Sequence, residues 1–237
     1  MSPTAAPDDR LLIAEEVMLL MLPDDGKLGS ALENARYPLT GTLLVELAAR
    51  GYVDVREEKK TTYVRAAGHG SAGLPDDGLL AAALTALGDK EHKVSRFVEN
   101  EFPKIAEAVL DRLADRGIVE KETTKSLWVF TTTQWPQKDS RPEEALRSDI
   151  TDVLEGRADP DERTGAIIAL LSAAGVLGSL RPPLPWNKEI KKRAEAIASA
   201  NWGSAAVSAA VESVTYAVTD AVTAVFVATT ATTVINT

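Results

Sequence analysis

Residues 43–53 read LLVELAARGYV, and residues 109–119 read VLDRLADRGIV. The two stretches lie 66 positions apart and agree at six of eleven positions, including an arginine–glycine pair near the end of each. The apolar spacing of each copy is typical of a helix, and glycine is the residue that most readily takes the left-handed conformation just past a helix C-terminus. The repeat therefore predicts two helices that end in the same way.

Each glycine is followed by a segment with the composition of a β-hairpin. After Gly51, an alternating stretch at 52–55 and a β-prone stretch at 61–65 enclose charged residues, and the pattern returns in register at 127–133, LWVFTTT. These features predict a mostly α-helical fold with two helix–glycine–β-hairpin units, winged-helix-like in outline, packed around central helices. We expect a single domain over residues 1–237, with a flexible N-terminus at 1–9.

The remaining segments predict further helices. Residues 9–22 are apolar nearly all round, which indicates a central helix capped by Asp8 and Asp9. The other predicted helices cover residues 38–50, 76–87 and 141–155, a segment opening at 159–162, a basic segment from 188, and a valine-rich segment at 207–225.

Composition excludes several classes of protein. The chain carries a net charge of -9 and has no cysteine, so disulfides, thiol catalysis and cysteine-based metal sites are excluded. The acidic balance opposes general attraction to nucleic acid. Its N-terminus lacks the pattern of a signal peptide and no segment has the length and hydropathy of a membrane span, so we expect a cytoplasmic protein.

No catalytic or metal-binding constellation is found. His69 and His92 are the only histidines, and neither has a second ligand type at metal spacing. Nucleophile and phosphate-loop motifs are missing. The carboxylate pairs, such as Glu15–Glu16, stand where helix caps and turns favour them. We therefore expect a non-enzymatic protein without catalytic residues, metal or cofactor.

The winged-helix outline raises the possibility of DNA binding, in which a helix enters the major groove. Acidic and basic residues alternate on the helices before both glycines, so no basic face forms and nucleic acid is not an expected partner. The most basic segment, WNKEIKKR at 186–193, fits a solvated helix face with Trp186 packed at its entry, or a helix lying on an anionic membrane.

The second hairpin is rich in aromatic residues. Trp128 and Phe130 share one face of its strand, and Trp135 follows the strand directly. They either cover the core or, with Trp135 exposed, contact lipid or a second subunit. We predict a membrane-binding or oligomer-forming hairpin at these three residues.

Four segments together resemble the Golgi phosphoprotein 3 family. They are LLIAEEVMLL at 11–20, GTLLVELAARG at 41–51, the repeat at 109–119, and RTGAIIALL at 163–171. The resemblance runs in order over roughly residues 11–225, and the composition is similar to that of bacterial, in particular actinobacterial, members.

The resemblance implies a single helical domain whose β-hairpin supports oligomerisation and membrane insertion. Eukaryotic members bind phosphatidylinositol 4-phosphate through a tryptophan and three arginines, which align here with Ala31, Thr40, Pro103 and Ala106. None of these four side chains is retained.

Two basic residues, Arg36 and Lys104, lie near the aligned positions and could replace the family's donors. With Thr40 they form the predicted lipid-headgroup site, because charge-assisted donors are what a phosphate requires.

We therefore expect a peripheral membrane or adaptor protein, cytoplasmic and located at the inner face of the membrane. Its expected partners are an anionic phospholipid or phosphoinositide surface and further copies of itself. The alternative is a protein-interaction module that has lost lipid binding.

Overall fold

The computed structural model describes residues 10–59, 61–67, 74–126, 130–200, 211, 212, 214–216, 218 and 219. These residues are mostly helical, as predicted, with two small antiparallel sheets. The helices are α1 (Ile13–Met21), α2 (Gly29–Ala49), α3 (Gly78–Leu87), α4 (Val94–Asp115), α5 (Arg141–Leu154), α6 (Glu162–Ala173) and α7 (Lys188–Ala198). The strands are β1 (Val53–Glu58), β2 (Thr61–Ala66), β3 (His92–Lys93), β4 (Glu122–Ser126) and β5 (Phe130–Gln134).

Helix α1 occupies the centre of the fold and contacts α2, α4, α5 and α6. Ala14, Val17 and Leu20 on this helix are fully buried. A helix that is apolar on every side can shed water only when other helices surround it. The predicted central helix is thus confirmed, but it begins at Ile13 rather than at residue 9, with Leu12 as its N-cap in place of the predicted aspartates.

Helices α2 and α4 end in the same way, as the repeat predicts. Gly51 and Gly117 have φ angles of 75° and 70°, and each follows its helix by two residues. The next amide bonds back to a carbonyl five residues earlier, with N–O distances of 2.9 Å from Tyr52 to Leu47 and 3.0 Å from Ile118 to Leu113. These are the bonds of a Schellman motif, which satisfies carbonyls that the helix end leaves unpaired.

A β-hairpin follows each of the two glycines. Strands β1 and β2 pair from Val53–Ala66 to Glu58–Thr61, and β3 adds a short third strand beside β2. Strands β4 and β5 pair from Glu122–Gln134 to Ser126–Phe130. Both predicted hairpins are present, whereas the winged-helix-like arrangement of the two units stays a prediction.

Helix α2 is longer than its sequence pattern predicts. It begins at Gly29, nine residues before the predicted start, and Pro38 lies inside it. A proline within a helix removes one backbone hydrogen bond, but the residues around it, Ala35 and Leu39, are buried in the core. Burial of this face therefore outweighs the local preference of proline.

One cluster of buried apolar residues runs from Leu12 to Val218 and includes residues from each of α1 to α7. The domain boundaries 1–237 stay a prediction. Residues 1–9, expected to be flexible, lie outside the described residues.

Candidate functional site

The predicted headgroup residues lie on two helices that pack together, α2 and α4, and they differ in exposure. The guanidinium of Arg36 stacks over the Phe102 ring, 5.6 Å from its centroid. Thr40 is fully buried, and its hydroxyl has no hydrogen-bond partner among the described residues. Lys104 is 78% exposed, and its Nζ lies 3.2 Å from Glu101 Oε2. The structure thus separates a buried hydroxyl from an exposed, paired lysine.

The aromatic hairpin is only partly described. Trp128 lies outside the described residues, and Phe130 is the first residue of β5, where it pairs with Ser126. Trp135 is only 3% exposed and belongs to the core. Its amide donates to the Gly26 carbonyl at 3.0 Å, and the Lys121 ammonium lies 4.7 Å from its ring centroid. The prediction of an exposed Trp135 is wrong, because the indole fills the core.

A different region contains two of the buried carboxylates of the described residues, Glu15 and Glu46. A cleft of about 1020 Å³ opens where the C-terminal ends of α2 and α4 meet the N-terminal ends of α1, α3 and α6. Helix C-termini attract cations and helix N-termini attract anions, so both signs of charge gather here. The arginine cleft, as we name it, is lined by Arg10, Leu11, Leu12, Arg50, Asp76, Asp77, Gly78, Arg112, Asp115, Arg116 and Arg163.

Glu15 anchors the floor of the arginine cleft. Its side chain is 0% exposed. One carboxylate oxygen accepts the Leu12 amide at 2.7 Å, which caps α1, and the other lies 3.3 Å from Arg112 Nε and 3.2 Å from Arg116 Nε. A carboxylate buried this deeply is tolerated only when it is paired and hydrogen-bonded. Glu15 therefore fixes the orientation of two guanidiniums, that of Arg112 on α4 and that of Arg116 just past its end.

Asp77 holds Arg112 from the opposite side. Its carboxylate accepts the Leu79 and Leu80 amides at 2.9 and 3.1 Å and so caps α3. Its other oxygen lies 2.9 Å from Arg112 Nη2. Burial works to lower the pKa of Arg112, but Glu15 and Asp77 outweigh it, and the pKa lies above its usual value.

Glu16 and Arg163 form a third pair at the edge of the cleft. Arg163 Nε donates to Glu16 Oε2 at 2.6 Å, and its Nη2 donates to the Leu11 carbonyl. Burial raises the pKa of Glu16, and Arg163 only partly offsets this rise. The pair ties the start of α6 to the start of α1.

Glu46 on α2 is the least compensated carboxylate near the cleft. It is 5% exposed and accepts the Ile13 amide at 3.2 Å, whereas its nearest cation, Arg50, is 3.8 Å away. Burial raises the pKa of Glu46 to about 7, and the Ile13 amide, Arg163 and Arg50 only partly oppose the rise. This carboxyl is therefore half protonated near neutral pH.

Sequence reasoning does not single out this cluster. Acidic residues at 15 and 16 are expected at any helix N-terminus, and Arg112 and Arg116 alternate with Asp111 and Asp115. The sequence contains only an indirect indication of these buried charges. Because residues 13–21 are apolar on nearly every side, a charged residue among them has to be buried and paired.

Helix α7 presents a second charged surface. Ile190, Ala194 and Ile197 are buried, while Lys188, Lys191 and Lys192 are exposed on the other side of the helix. Trp186, just before α7, is 40% exposed. One face of its indole lies on Gly178, where an added Cβ would come within 2.4 Å of the ring. Trp186 is therefore packed on one face, as one alternative predicts, and exposed on the other.

Two classes of site are not found in the part of the chain that the structure describes. No group of three or more histidine or carboxylate side chains is arranged to hold a metal ion. None of the described helices combines the length and apolar composition that crossing a bilayer would need.

The described residues thus form a mostly helical protein with two helix–glycine–hairpin segments, a central apolar helix and an arginine-lined cleft at its start. The Golgi phosphoprotein 3 family model matches residues 13–214. The chain therefore belongs to the Golgi phosphoprotein 3 family, which confirms the resemblance of its four sequence segments. No curated protein sequence matches the chain.

Proposed function

We propose that the protein is a non-enzymatic, peripheral membrane adaptor that binds anionic phospholipid surfaces at the cytoplasmic face. The observation that carries this proposal is the exposed Trp186 beside the basic side of α7. Membership of the Golgi phosphoprotein 3 family supports the same class of function.

The α7 surface, defined by Trp186, Lys188, Lys191 and Lys192, has the two components of an interfacial site. Indole side chains favour the boundary between hydrocarbon and water, and lysines are attracted to anionic headgroups. Within the described residues no ion pair holds Lys188 or Lys192, whereas Lys191 lies 3.9 Å from Glu195. At least two lysine charges are thus available to lipid.

The buried face of α7 is already used inside the protein, since it packs against α5 and α6. Binding would therefore place the helix against the headgroups by its charged side, with Trp186 reaching deeper. The expected affinity is modest and depends on salt, because surface lysines contribute about 1 kcal/mol each near an anionic membrane.

The experiment is sedimentation with liposomes of neutral lipid, of mixed anionic lipid, and of that mixture with phosphatidylinositol 4-phosphate, at low and physiological salt. The unmodified protein should sediment with both anionic mixtures. Changing Lys188→Gln and Lys192→Gln together should weaken binding roughly 30-fold, because it removes about 2 kcal/mol of attraction. Trp186→Ala should weaken it further.

The matched control is Lys90→Gln with Lys93→Gln, which removes two exposed lysines outside the α7 surface. It should bind like the unmodified protein. Equal losses in both double variants would show only a response to net charge and would reject the α7 surface as the contact.

The second candidate function is a protein-interaction module that has lost lipid binding. The burial of Thr40 and Trp135 favours it, because neither residue is presented to a membrane in this conformation. Absence of sedimentation with all three liposome mixtures would select this function. Self-association through the second hairpin stays a prediction for either case.

A further inference from the structure

We infer that a groove beside α7 binds a neutral saccharide, with one pyranose ring stacked on Trp186. The groove has a volume of about 540 Å³, within the range of small-molecule sites. It lies between the end of α6, the turn that follows, α7 and the helical residues near Thr215. The Trp186 groove, as we name it, is defined by Gly178, Trp186, Lys191, Glu195, Ser199 and Thr215.

The inference goes beyond the proposed function and does not require membrane binding. Trp186 and Lys191 belong both to the Trp186 groove and to the α7 surface. Lys188 and Lys192 of the α7 surface do not line the groove, and Glu195 of the groove is not part of that surface. Different variants can therefore test the two sites separately.

The groove contains an aromatic platform. Trp186 is 40% exposed. One face of its indole lies on Gly178, where an added Cβ would come within 2.4 Å of the ring, so any side chain at position 178 displaces the indole. An indole held in this way keeps its other face available, and the C–H face of a pyranose ring packs on such an apolar surface. Trp186 is thus the residue on which the sugar ring rests.

The serine hydroxyls of the groove act as hydrogen-bond acceptors. Ser179, which also lines the groove, donates its Oγ proton to the Val176 carbonyl at 2.9 Å. Ser199 Oγ donates to the Glu195 carbonyl at the same distance, 2.9 Å. A hydroxyl has one proton and two lone pairs, so both oxygens can only accept from a ligand. The ligand must therefore carry several donors, and hydroxyl groups provide them.

Lys191 and Glu195 are the only charged residues among the described residues that line the groove. They lie one turn apart on α7, and the 3.9 Å between Lys191 Nζ and Glu195 Oε1 is longer than a hydrogen bond. Both side chains are more than half exposed, at 64% and 60%. The ammonium and the carboxylate are therefore available to neighbouring hydroxyls of a sugar, one of which accepts from Lys191 while the other donates to Glu195.

The same lining disfavours other classes of small molecule. Glu195 repels an anion such as a phosphate, and Lys191 repels a cation, so the pair favours an uncharged ligand. A wholly apolar molecule would remove water from both charges without replacing their hydrogen bonds. A molecule with one apolar face and several hydroxyls matches each part of the lining, and a pyranose sugar has this form.

A buried hydroxyl gives an independent indication of a ligand. Thr215 lines the groove, and its Oγ1 atom is buried without a hydrogen-bond partner among the described residues. Buried polar side chains in folded proteins are nearly always hydrogen-bonded. A hydroxyl of a molecule that occupies the groove is the expected partner of Thr215.

The test is a proton–nitrogen correlation spectrum of the full chain, titrated at millimolar concentrations with cellobiose, maltose and the acyclic polyol glucitol. The chain has four tryptophans, and Trp186→Phe identifies the indole signal of Trp186. We expect at least one disaccharide to shift this signal until it saturates. Glucitol, which carries hydroxyls but has no ring face, should have little effect.

Two variants should each weaken binding of the disaccharide roughly tenfold. Glu195→Gln removes a charge-assisted acceptor, and Gly178→Ala adds a Cβ that displaces the indole. Glu189→Gln is the matched control, because Glu189 is an exposed glutamate of α7 outside the groove lining. It should bind like the unmodified protein. Thermal melting of each variant without ligand checks that it is folded.

Three results would overturn the proposal. The first is an unchanged Trp186 signal with both disaccharides or an equal shift with glucitol. The second is equal weakening by Glu189→Gln and Glu195→Gln. The third is tighter binding of glucose 6-phosphate than of glucose, which would mean that the groove selects a phosphate rather than an uncharged sugar.

Failure of the groove and failure of the α7 surface give different results. Lys188→Gln with Lys192→Gln should leave binding of the disaccharide unchanged. Sedimentation with liposomes by a protein that binds no disaccharide would reject the groove alone. Binding of the disaccharide by a protein that does not sediment with liposomes would reject the α7 surface alone.

Discussion

Four residues before the shared arginine, α2 carries Glu46 and α4 carries Arg112, although the two helices end in the same Schellman motif. Both side chains reach the start of α1. Glu46 accepts the Ile13 amide at 3.2 Å, and Arg112 donates to Glu15 at 3.3 Å. One repeat therefore supplies an acceptor and the other a donor to the same helix N-terminus.

The two positions differ in how well their burial is compensated. Arg112 has two carboxylate partners, and its pKa lies above the usual value. Glu46 has one amide and a distant guanidinium, and burial raises its pKa to about 7. A repeated backbone can thus place opposite charges at equivalent sites, and the surrounding partners decide which one stabilises the fold.

The largest loss of stability is expected from Arg112→Ala. It leaves Glu15 with a single arginine and unpairs Asp77, and breaking a buried ion pair from one side costs about 3 kcal/mol. Urea unfolding at pH 7, followed by circular dichroism, measures the loss in the free energy of unfolding.

Arg65→Ala is the comparison for that experiment. Arg65 pairs with Asp54 at 3.0 Å on the first hairpin, where both side chains are about half exposed. Such pairs contribute less than about 1 kcal/mol. Equal losses in the two variants would mean that Arg112 is no more important to the fold than a surface ion pair.

Glu46→Gln should stabilise the protein, and the gain should depend on pH. Unfolded chains lose this proton near pH 4.5, whereas the folded protein keeps it until about pH 7. Ionised Glu46 therefore lowers stability as pH rises from about 4.5 to 7, and the loss is complete above that range. At 1.36 kcal/mol per pKa unit, the difference between 4.5 and about 7 corresponds to a gain of roughly 3 kcal/mol for the variant at pH 8.

The difference in the free energy of unfolding between Glu46→Gln and the unmodified protein should vanish near pH 4, where Glu46 is protonated in both the folded and the unfolded state. Urea unfolding of both proteins at pH 4, 6 and 8 gives the comparison. A gain that is constant across these values would show that ionisation of Glu46 is not its source.

The smallest losses of stability are expected at the glycines, where the two helix–glycine–hairpin units are alike. Gly51→Ala and Gly117→Ala should each cost about 1 kcal/mol, since a left-handed conformation disfavours a side chain. An added Cβ meets no atom within 4 Å at either glycine, so backbone conformation is the only cause. Losses that differ by more than a few tenths of a kcal/mol would show that the helix ends are not equivalent.

Local sequence patterns determined much of the architecture. Apolar spacing located the helices, the glycine of each repeat marked the end of α2 and α4, and β-prone residues located both hairpins. These features depend on neighbours within a few positions along the chain, so the local sequence contains their cause. The four segments that resemble the family are continuous stretches and were likewise readable without a structure.

Local signals were misleading where the core overrides them. Proline at position 38 predicts a helix start, yet burial of Ala35 and Leu39 extends α2 back to Gly29. Trp135 follows a strand and could face either way, and the approach of Gly26 places it in the core. In each case the deciding contact involves packing that the local pattern does not report.

The arginine cleft depends entirely on the tertiary structure. Its arginines come from residues as distant as 10 and 163, and each looks like an ordinary surface charge in its own segment. Only the packing of four other helix ends around the start of α1 removes Glu15 from water and makes its pairing with Arg112 and Arg116 obligatory. Helix ends are encoded locally, but which charges meet there is decided by packing, because burial alone turns an exposed carboxylate into one that must be paired.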